Sequence, residues 1–321
     1  MNGESGKECV AFYCPICTTA LQSRSDRISL DDLFALWKEI DFKEETIREH
    51  RQQSEFTKLY QCPSCELEIY LPQIIGMPCF YEDLQKAPYY VDEKWEFKEA
   101  LADVEKSDSI IEIGCGPGNF LEKVRTCVRE TCGFEYNDRA IEIASKKGFS
   151  VLSTEDDIRL NKGRFDAAFS FHVIEHVADP VAFLQTICSL VKDGGRIGIS
   201  VPNMEGPIKY IEPCVSNMPP HHATRWRVTT LRTLAKRLGL TMERVAYEPL
   251  RYSNADYYSK YWVNQMLPAD SLLNATVRFA ASLFFFISFK LIALFNKKGF
   301  SLFKGQSIYV LMSKRTSCGK H

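Results

Sequence analysis

Ile110-Ile-Glu-Ile-Gly-Cys-Gly-Pro-Gly-Asn119 is the stretch on which the reading of this chain turns. Its apolar, β-branched run is short and ends in glycine, which predicts a buried strand. Glycine recurs at Gly114, Gly116 and Gly118, and Phe120-Leu-Glu-Lys-Val-Arg-Thr-Cys-Val128 then has the spacing of an amphipathic helix. The unit is strand, tight glycine turn, helix. Without Cβ atoms the chain can turn sharply and a ligand can approach the backbone amides. A second apolar run ends in Cys132-Gly-Phe-Glu135, which sets a carboxylate at the C-terminal edge of a strand. In dinucleotide-binding folds an acid about 20 residues past the glycines holds ribose hydroxyls, and Glu135 stands at that spacing from Gly114. These residues describe a pocket for a nucleoside cofactor.

The nicotinamide and flavin fingerprint, G-x-G-x-x-G, requires glycine where this chain has Asn119, so the pattern fails there. Glu-x-Gly-x-Gly-x-Gly instead resembles the first motif of class I S-adenosylmethionine-dependent methyltransferases. The resemblance implies that Glu112 is the acidic position before the first glycine and that Glu135 binds the adenosine ribose. It also implies cofactor contacts at Gly114, Cys115, Gly116, Gly118, Tyr136 and Phe171. Asp156, after the third strand, is expected near the adenine amino group, with Glu155 or Asp157 as alternatives. Such a ligand carries a sulfonium and no pyrophosphate, so carboxylates suit it.

Further motifs follow in the same register. Phe165-Asp-Ala-Ala-Phe-Ser-Phe-His-Val-Ile-Glu-His-Val-Ala-Asp-Pro180 is similar to the fourth-strand segment of these enzymes, closest to the ubiquinone O-methyltransferase-like branch. Asp179-Pro180 predicts a helix start, with Asp as cap and Pro in the first turn. Lys192-Asp-Gly-Gly195 and a strand ending in Pro202-Asn203 resemble the family's fifth-strand signature, and Gln306 to Ser313 is predicted as the last strand. The fold expected over residues 108–321 is α/β, a Rossmann-like doubly wound sheet of seven strands, with ligands outside the carboxyl ends of its strands.

Composition narrows the class. The chain has 321 residues and a formal net charge of −1 from 40 basic and 41 acidic residues, so there is no basic excess for a nucleic-acid footprint. Met1 to Glu8 has no apolar run, which argues against a secretory signal and for a cytoplasmic setting. Four of the twelve cysteines form Cys14-Pro-Ile-Cys17 and Cys62-Pro-Ser-Cys65. Thiolates spaced this way can each close one edge of a tetrahedron, and two such pairs complete a structural zinc site with no open position. Residues 1–80 are therefore expected to form a zinc-ribbon-like module, with a helical insertion between Ser29 and Phe56. Cys127, Cys132 and Cys188 fall at apolar periodic positions and are expected in the core.

Residues 81–107 are read as a helical linker whose aromatics, Tyr89, Tyr90 and Trp95, either cap the pocket or pack on the sheet. Residues 251–304 form an insertion that becomes strongly apolar from Phe279 to Phe295, interrupted by Lys290 and flanked by Arg278, Lys297 and Lys298. Segment 279–298 reads as an interfacial helix on a membrane, a helix against the protein body, or a dimer contact.

Methyl transfer from a sulfonium is an in-line displacement, and a hydroxyl nucleophile also needs a base, a task for histidine. Four of the six histidines fall at the expected active edge: His172, His176, His221 and His222. The resemblance favours His176 as a catalytic or orienting base, with Glu175 orienting it or binding the cofactor's amino group. His222, in Pro-Pro-His-His-Ala-Thr-Arg-Trp, is the alternative base. Relatives in this branch have a Glu-x-x-Glu-His cluster linked to a divalent metal; here His172 replaces the first acid. The expected activity is methyl transfer to a small molecule or glycan, at oxygen. The alternatives are a nucleotide-sugar C-methyltransferase, and a macromolecule-modifying enzyme or adaptor that uses the zinc module for recognition.

Overall fold

The computed structural model describes residues 11–38, 40–84, 92–210, 213–251, 259, 263, 274–295 and 304–315. The possible lid residues Tyr89 and Tyr90 and the flanking cations Lys297 and Lys298 lie outside them.

The chain opens with two short strands, β1 (Gln22–Ser23) and β2 (Ile28–Ser29), then helices α1 (Leu30–Ala35) and α2 (Glu44–Gln53). Strands β3 (Phe56–Gln61) and β4 (Glu68–Leu71) follow, so the helical insertion expected after Ser29 is this helix pair. Ser29 caps α1 by accepting a bond from the Asp32 amide. Helix α3 (Pro78–Leu84) straddles the start of the expected linker, and α4 (Trp95–Leu101) lies within it. Trp95 packs beside Phe97 against the second apolar core, with Phe120 and Phe171.

The α/β part alternates β5 (Ser109–Ile113), α5 (Asn119–Val124), β6 (Glu130–Phe134), α6 (Asp138–Lys146), β7 (Ser150–Leu152), α7 (Glu155–Leu160), β8 (Phe165–Phe171), α8 (Pro180–Leu190) and β9 (Val191–Pro202). Short strand β10 (Thr224–Arg225) precedes α9 (Val228–Arg237), β11 (Leu240–Pro249), α10 (Asn274–Phe295) and β12 (Lys304–Lys314). Seven strands make one sheet in the order β11-β12-β9-β8-β5-β6-β7. Strands β5 to β9 run parallel, while β12 lies antiparallel between β9 and β11. Ile110, Ile111 and Ile113 are all buried, as a strand covered by helices on both faces requires. Asp179 Oδ1 accepts the Val181 and Ala182 amides at 2.9 Å each, so α8 starts where the Asp-Pro pair predicted. Cys127 is exposed, which corrects its expected place in the core: α5 ends at Val124, and the helical spacing stops with it. Cys132 is buried and Cys188 half-buried.

After β5 the chain crosses to β6 on one side, while β8 pairs with β5 on the other. That reversal opens a crevice at the carboxyl ends of β5 and β8. The cysteine module is joined to this body. Strand β10 pairs with β4 (Ile69 opposite Thr224, Glu68 opposite Arg225) and completes a five-stranded sheet with β1, β2 and β3. The apolar core is continuous across the junction, from Cys14, Cys62, Cys65 and Leu67 to Trp226, Leu231 and Leu234. Buried Glu68 also pairs with Arg227 at 2.7 Å and with Arg225 at 3.6 Å.

Candidate active site

At the end of β5 the backbone turns into α5 through Gly114 (φ +77°) and Gly118 (φ +80°), a left-handed conformation that glycine adopts at little cost. A Cβ at Gly114 would stand 2.5 Å from Val173 Cγ2, so the turn also needs glycine for space. The Gly114 and Cys115 amides both donate to the Phe134 carbonyl, at 2.8 and 3.1 Å, which ties the turn to β6. Cys115 is buried, and its Sγ would lie 2.6 Å from a Cβ at Gly133, so its small side chain fills the gap between the two strands.

Two acids flank this turn. Glu135, at the end of β6, accepts the Gly116 amide at 2.9 Å and the Tyr136 and Asn137 amides at 2.8 and 3.0 Å. Glu112 is buried, and its Oε2 has no hydrogen-bond partner among the described residues. Burial pushes its carboxyl well above the usual range, with the Glu135 charge adding to the rise and Lys94 opposing it. An unsatisfied buried acid is costly without a ligand, and a cationic group placed beside it would recover that cost.

Next to the turn lies a cavity of ≈ 640 Å³, a size suited to a nucleoside. It is lined by Ile113, Gly114, Glu135 and Tyr136 from the strand ends, by Glu155, Ile158 and Arg159 from α7, and by Val173, Val177 and Phe183 from the segment after β8. Glu155, not Asp156, faces it: Asp156 is exposed and pairs with Arg159, and Asp157 caps α7 through the Ser153 and Thr154 amides. Phe171 packs beneath the site against Phe97 and Phe120, 5.0 and 4.8 Å between ring centroids.

The segment after β8 carries two clusters of different charge. His172, at φ +56°, places Nε2 2.6 Å from Glu96 Oε1 and Nδ1 3.3 Å from Glu175 Oε1. Burial opposes its charge, but the two carboxylates outweigh burial and raise its pKa to about 9. Glu96 is burdened by the same burial and is drawn down to about 2 by the imidazolium. Glu175 is fully buried and faces His172. The histidine that replaces an acid of the relatives' metal cluster is thus a clamped cation.

His176, His221 and His222 form the second cluster, where one ring nitrogen of each lies within 4.8 Å of the others. Ring centroids are 4.7 Å apart from His176 to either neighbour and 4.4 Å between His221 and His222. Burial lowers all three pKa values; His221 falls to about 3, with His176 adding to the drop, and all three rings are neutral at pH 7. The cysteine module supplies one wall of this cluster. The Tyr81 hydroxyl is 3.2 Å from His176 Nδ1, and the Trp37 and Phe80 rings stand 5.9 and 6.3 Å from His221. Glu96, Tyr81 and Trp37 carried no motif in the sequence; only the fold brings them here.

Cys14, Cys17, Cys62 and Cys65 converge as their spacing predicted. Sγ atoms of Cys14 and Cys65 are 3.5 Å apart, those of Cys17 and Cys62 are 3.3 Å apart, and all four lie within 4.8 Å. The Ile16 and Cys65 amides point at the sulfurs of Cys14 and Cys62, both at 3.4 Å, which favours thiolates. A hydrogen bond from Cys65 holds Cys14 down to about 5, although burial opposes it. Four such sulfurs with no carboxylate among them have the donor chemistry of a closed structural zinc site.

Residues 87–245 match a family described as a methyltransferase domain. The ubiquinone biosynthesis O-methyltransferase of Xanthomonas axonopodis pv. citri is 24% identical over 161 residues, which cover 44% of this chain and 67% of that protein. Its namesake in Cereibacter sphaeroides is 31% identical over 101 residues, covering 29% and 41%. The shared segment thus spans between about two fifths and two thirds of these relatives. Among solved structures, a SAM-dependent methyltransferase from Archaeoglobus fulgidus aligns with a TM-score of 0.49 at 18% identity, over 73% of this chain and all of that one.

Proposed function

This chain carries a methyltransferase domain of the class I S-adenosylmethionine-dependent type, and from that premise we propose that it transfers a methyl group to a hydroxyl of a small-molecule or glycan acceptor. One observation carries most of the reading: Glu112 is buried beside a glycine turn with Oε2 unpartnered among the described residues, while Glu135, on the other side of that turn, lines the cavity. These residues fit the cofactor. Glu112 would take its ammonium, Glu135 its ribose hydroxyls, and the cavity between α7 and α8 its adenine. S-adenosylmethionine, when bound, supplies an electrophilic methyl group whose positive charge is lost on transfer.

The protein's own contribution is to orient the acceptor and exclude water. Neutral imidazoles at His176 and His222 have lone pairs for the acceptor hydroxyl, whereas His172, held as a cation, has none. Tyr81 and Trp37 extend the acceptor wall onto the cysteine module, so that module shapes the substrate site. Zinc at Cys14, Cys17, Cys62 and Cys65 would serve this placement, since the same knuckles brace α9 through Thr230 Oγ1 donating to the Cys65 carbonyl at 2.8 Å.

Helix α10 adds a lipid contact to the reading. It presents Phe279, Leu283, Phe284 and Ile287 exposed, with Phe289 turned into the body, and it contains no acidic residue. Among the described residues, no helix is long and apolar enough to cross a membrane.

The test is transfer of labelled methyl from S-adenosylmethionine into metabolite fractions. Label is expected in a hydroxylated small-molecule or glycan fraction and to fall at least a hundredfold in His176→Ala. Label in nucleic acid or protein alone would overturn the acceptor assignment.

A further inference from the structure

Beyond methyl transfer itself, the three-imidazole cluster has the arrangement of a metal site. Each ring turns Nδ1 to an oxygen that can only accept: His176 to the His221 carbonyl at 2.5 Å, His221 to the Ser216 carbonyl at 2.8 Å, and His222 to Asn217 Oδ1 at 3.0 Å. Nδ1 must therefore hold the proton in all three, and the lone pair sits on Nε2. Histidines that bind metals are fixed in this way, with the far ring nitrogen donating to a carbonyl or carboxylate. Three rings so fixed in one buried cluster exceed what packing alone demands.

We infer that His176, His221 and His222 together bind one divalent transition-metal ion of the zinc class, through their Nε2 atoms. The donor set is nitrogen only. Glu175, the nearest carboxylate in the segment, is turned to His172, and the described groups able to gather round an ion include no carboxylate here. All-nitrogen donors favour zinc, nickel, copper or cobalt over magnesium or calcium, which bind through oxygen. This set shares His176 with the cluster suggested by the Glu-x-x-Glu-His resemblance but takes nitrogen donors from His221 and His222 in place of that cluster's acids.

Geometry requires a modest closure. Nitrogens bound to one tetrahedral ion at about 2.0–2.1 Å lie about 3.3 Å apart, whereas here one ring nitrogen of each histidine lies within 4.8 Å of the others. The closure tilts the His221 and His222 planes, now 17° apart, toward the ion about their Nδ1 contacts. Three protein ligands leave a fourth position for water or an acceptor oxygen, as in catalytic rather than structural sites. A ring whose Nε2 holds the ion has no lone pair left for a proton. In that case the acceptor hydroxyl is acidified by coordination and gives its proton to solvent. This role rests on the proposed methyl transfer; the binding of the ion does not.

Purified full-length protein equilibrated with zinc and dialysed should retain two zinc ions per chain, one at the cysteines and one at the histidines. His176→Asn and His222→Asn should each retain one, while Cys14→Ser keeps the histidine-bound ion. S-adenosylhomocysteine binding, measured on the same samples, reports separately on the methyltransferase reading and on folding. X-ray absorption at the zinc edge of the wild-type protein needs no variant and should show nitrogen ligands beside sulfur. One zinc per chain with sulfur ligands alone, or two that survive both histidine substitutions, overturns the site.

Discussion

Gly114→Ala should damage both the fold and the cofactor crevice. Two costs can be worked out. A left-handed backbone at φ +77° costs a residue with Cβ about 1–2 kcal/mol. The new methyl would also meet Val173 Cγ2 at 2.5 Å, and forcing extra volume into a packed site costs about 1–3 kcal/mol. Together these give about 2–5 kcal/mol of destabilisation, shared between unfolding and displacement of Val173. Val173 lines the cavity, so its displacement alone should weaken S-adenosylhomocysteine binding; 1.4 kcal/mol is about tenfold. Urea unfolding and calorimetric titration measure the two parts. Adding Val173→Ala should restore the steric share and leave about 1–2 kcal/mol from the backbone, a coupling that a double-mutant cycle isolates. Wild-type stability and affinity in Gly114→Ala, or no coupling to Val173, would refute this reasoning.

Other outcomes follow from the same geometry. Glu112 keeps its proton above the ordinary carboxylate range in the free protein, and a cationic ligand favours the ionised form. Binding should therefore release a proton, and affinity should fall as pH drops through that raised pKa; titrations in buffers of unlike ionisation enthalpy would show no proton release if the assignment is wrong. For stability the sign is also set: the unfolded chain loses this proton earlier than the fold does, so stability declines as pH rises between the two values, and Glu112→Gln should lack that decline in urea midpoints. Cys14→Ser should lose the cysteine-bound zinc and lower Tm, whereas unchanged metal content would refute the ligand set. Replacing Phe279, Phe284 and Ile287 with serine should abolish flotation with anionic liposomes, and unchanged flotation would exclude α10 as the contact.

The fold was legible because its signals are local. The β5 run, the glycine turn and Asp179-Pro180 each satisfy backbone geometry within a few residues, and each appears where its pattern placed it. The cysteine tetrad was legible because two Cys-x-x-Cys knuckles leave few other ways to meet. That Glu112 and Glu135 flank the turn at Gly114 was likewise readable, since neighbouring strand ends set those places.

Long-range pairing was not legible. Nothing in the residues of β10 announces that Thr224 and Arg225 extend the sheet of β4, yet that junction brings Tyr81 and Trp37 to the histidines. The sense of His172 was hidden for the same reason. Its charge depends on Glu96, far away in sequence and 2.6 Å away in the fold. Asp156 and Glu155 are adjacent in sequence, and only the orientation of α7 turns Glu155 to the cavity. The Cys127 periodicity misled because a helix pattern does not state where the helix stops.

A crystal grown with S-adenosylhomocysteine examines the central claim most directly. The ligand is expected with its amino group against Glu112, its ribose hydroxyls on Glu135 and its adenine between Ile158 and Phe183. An empty cavity at saturating ligand, with no group beside Glu112, would contradict it.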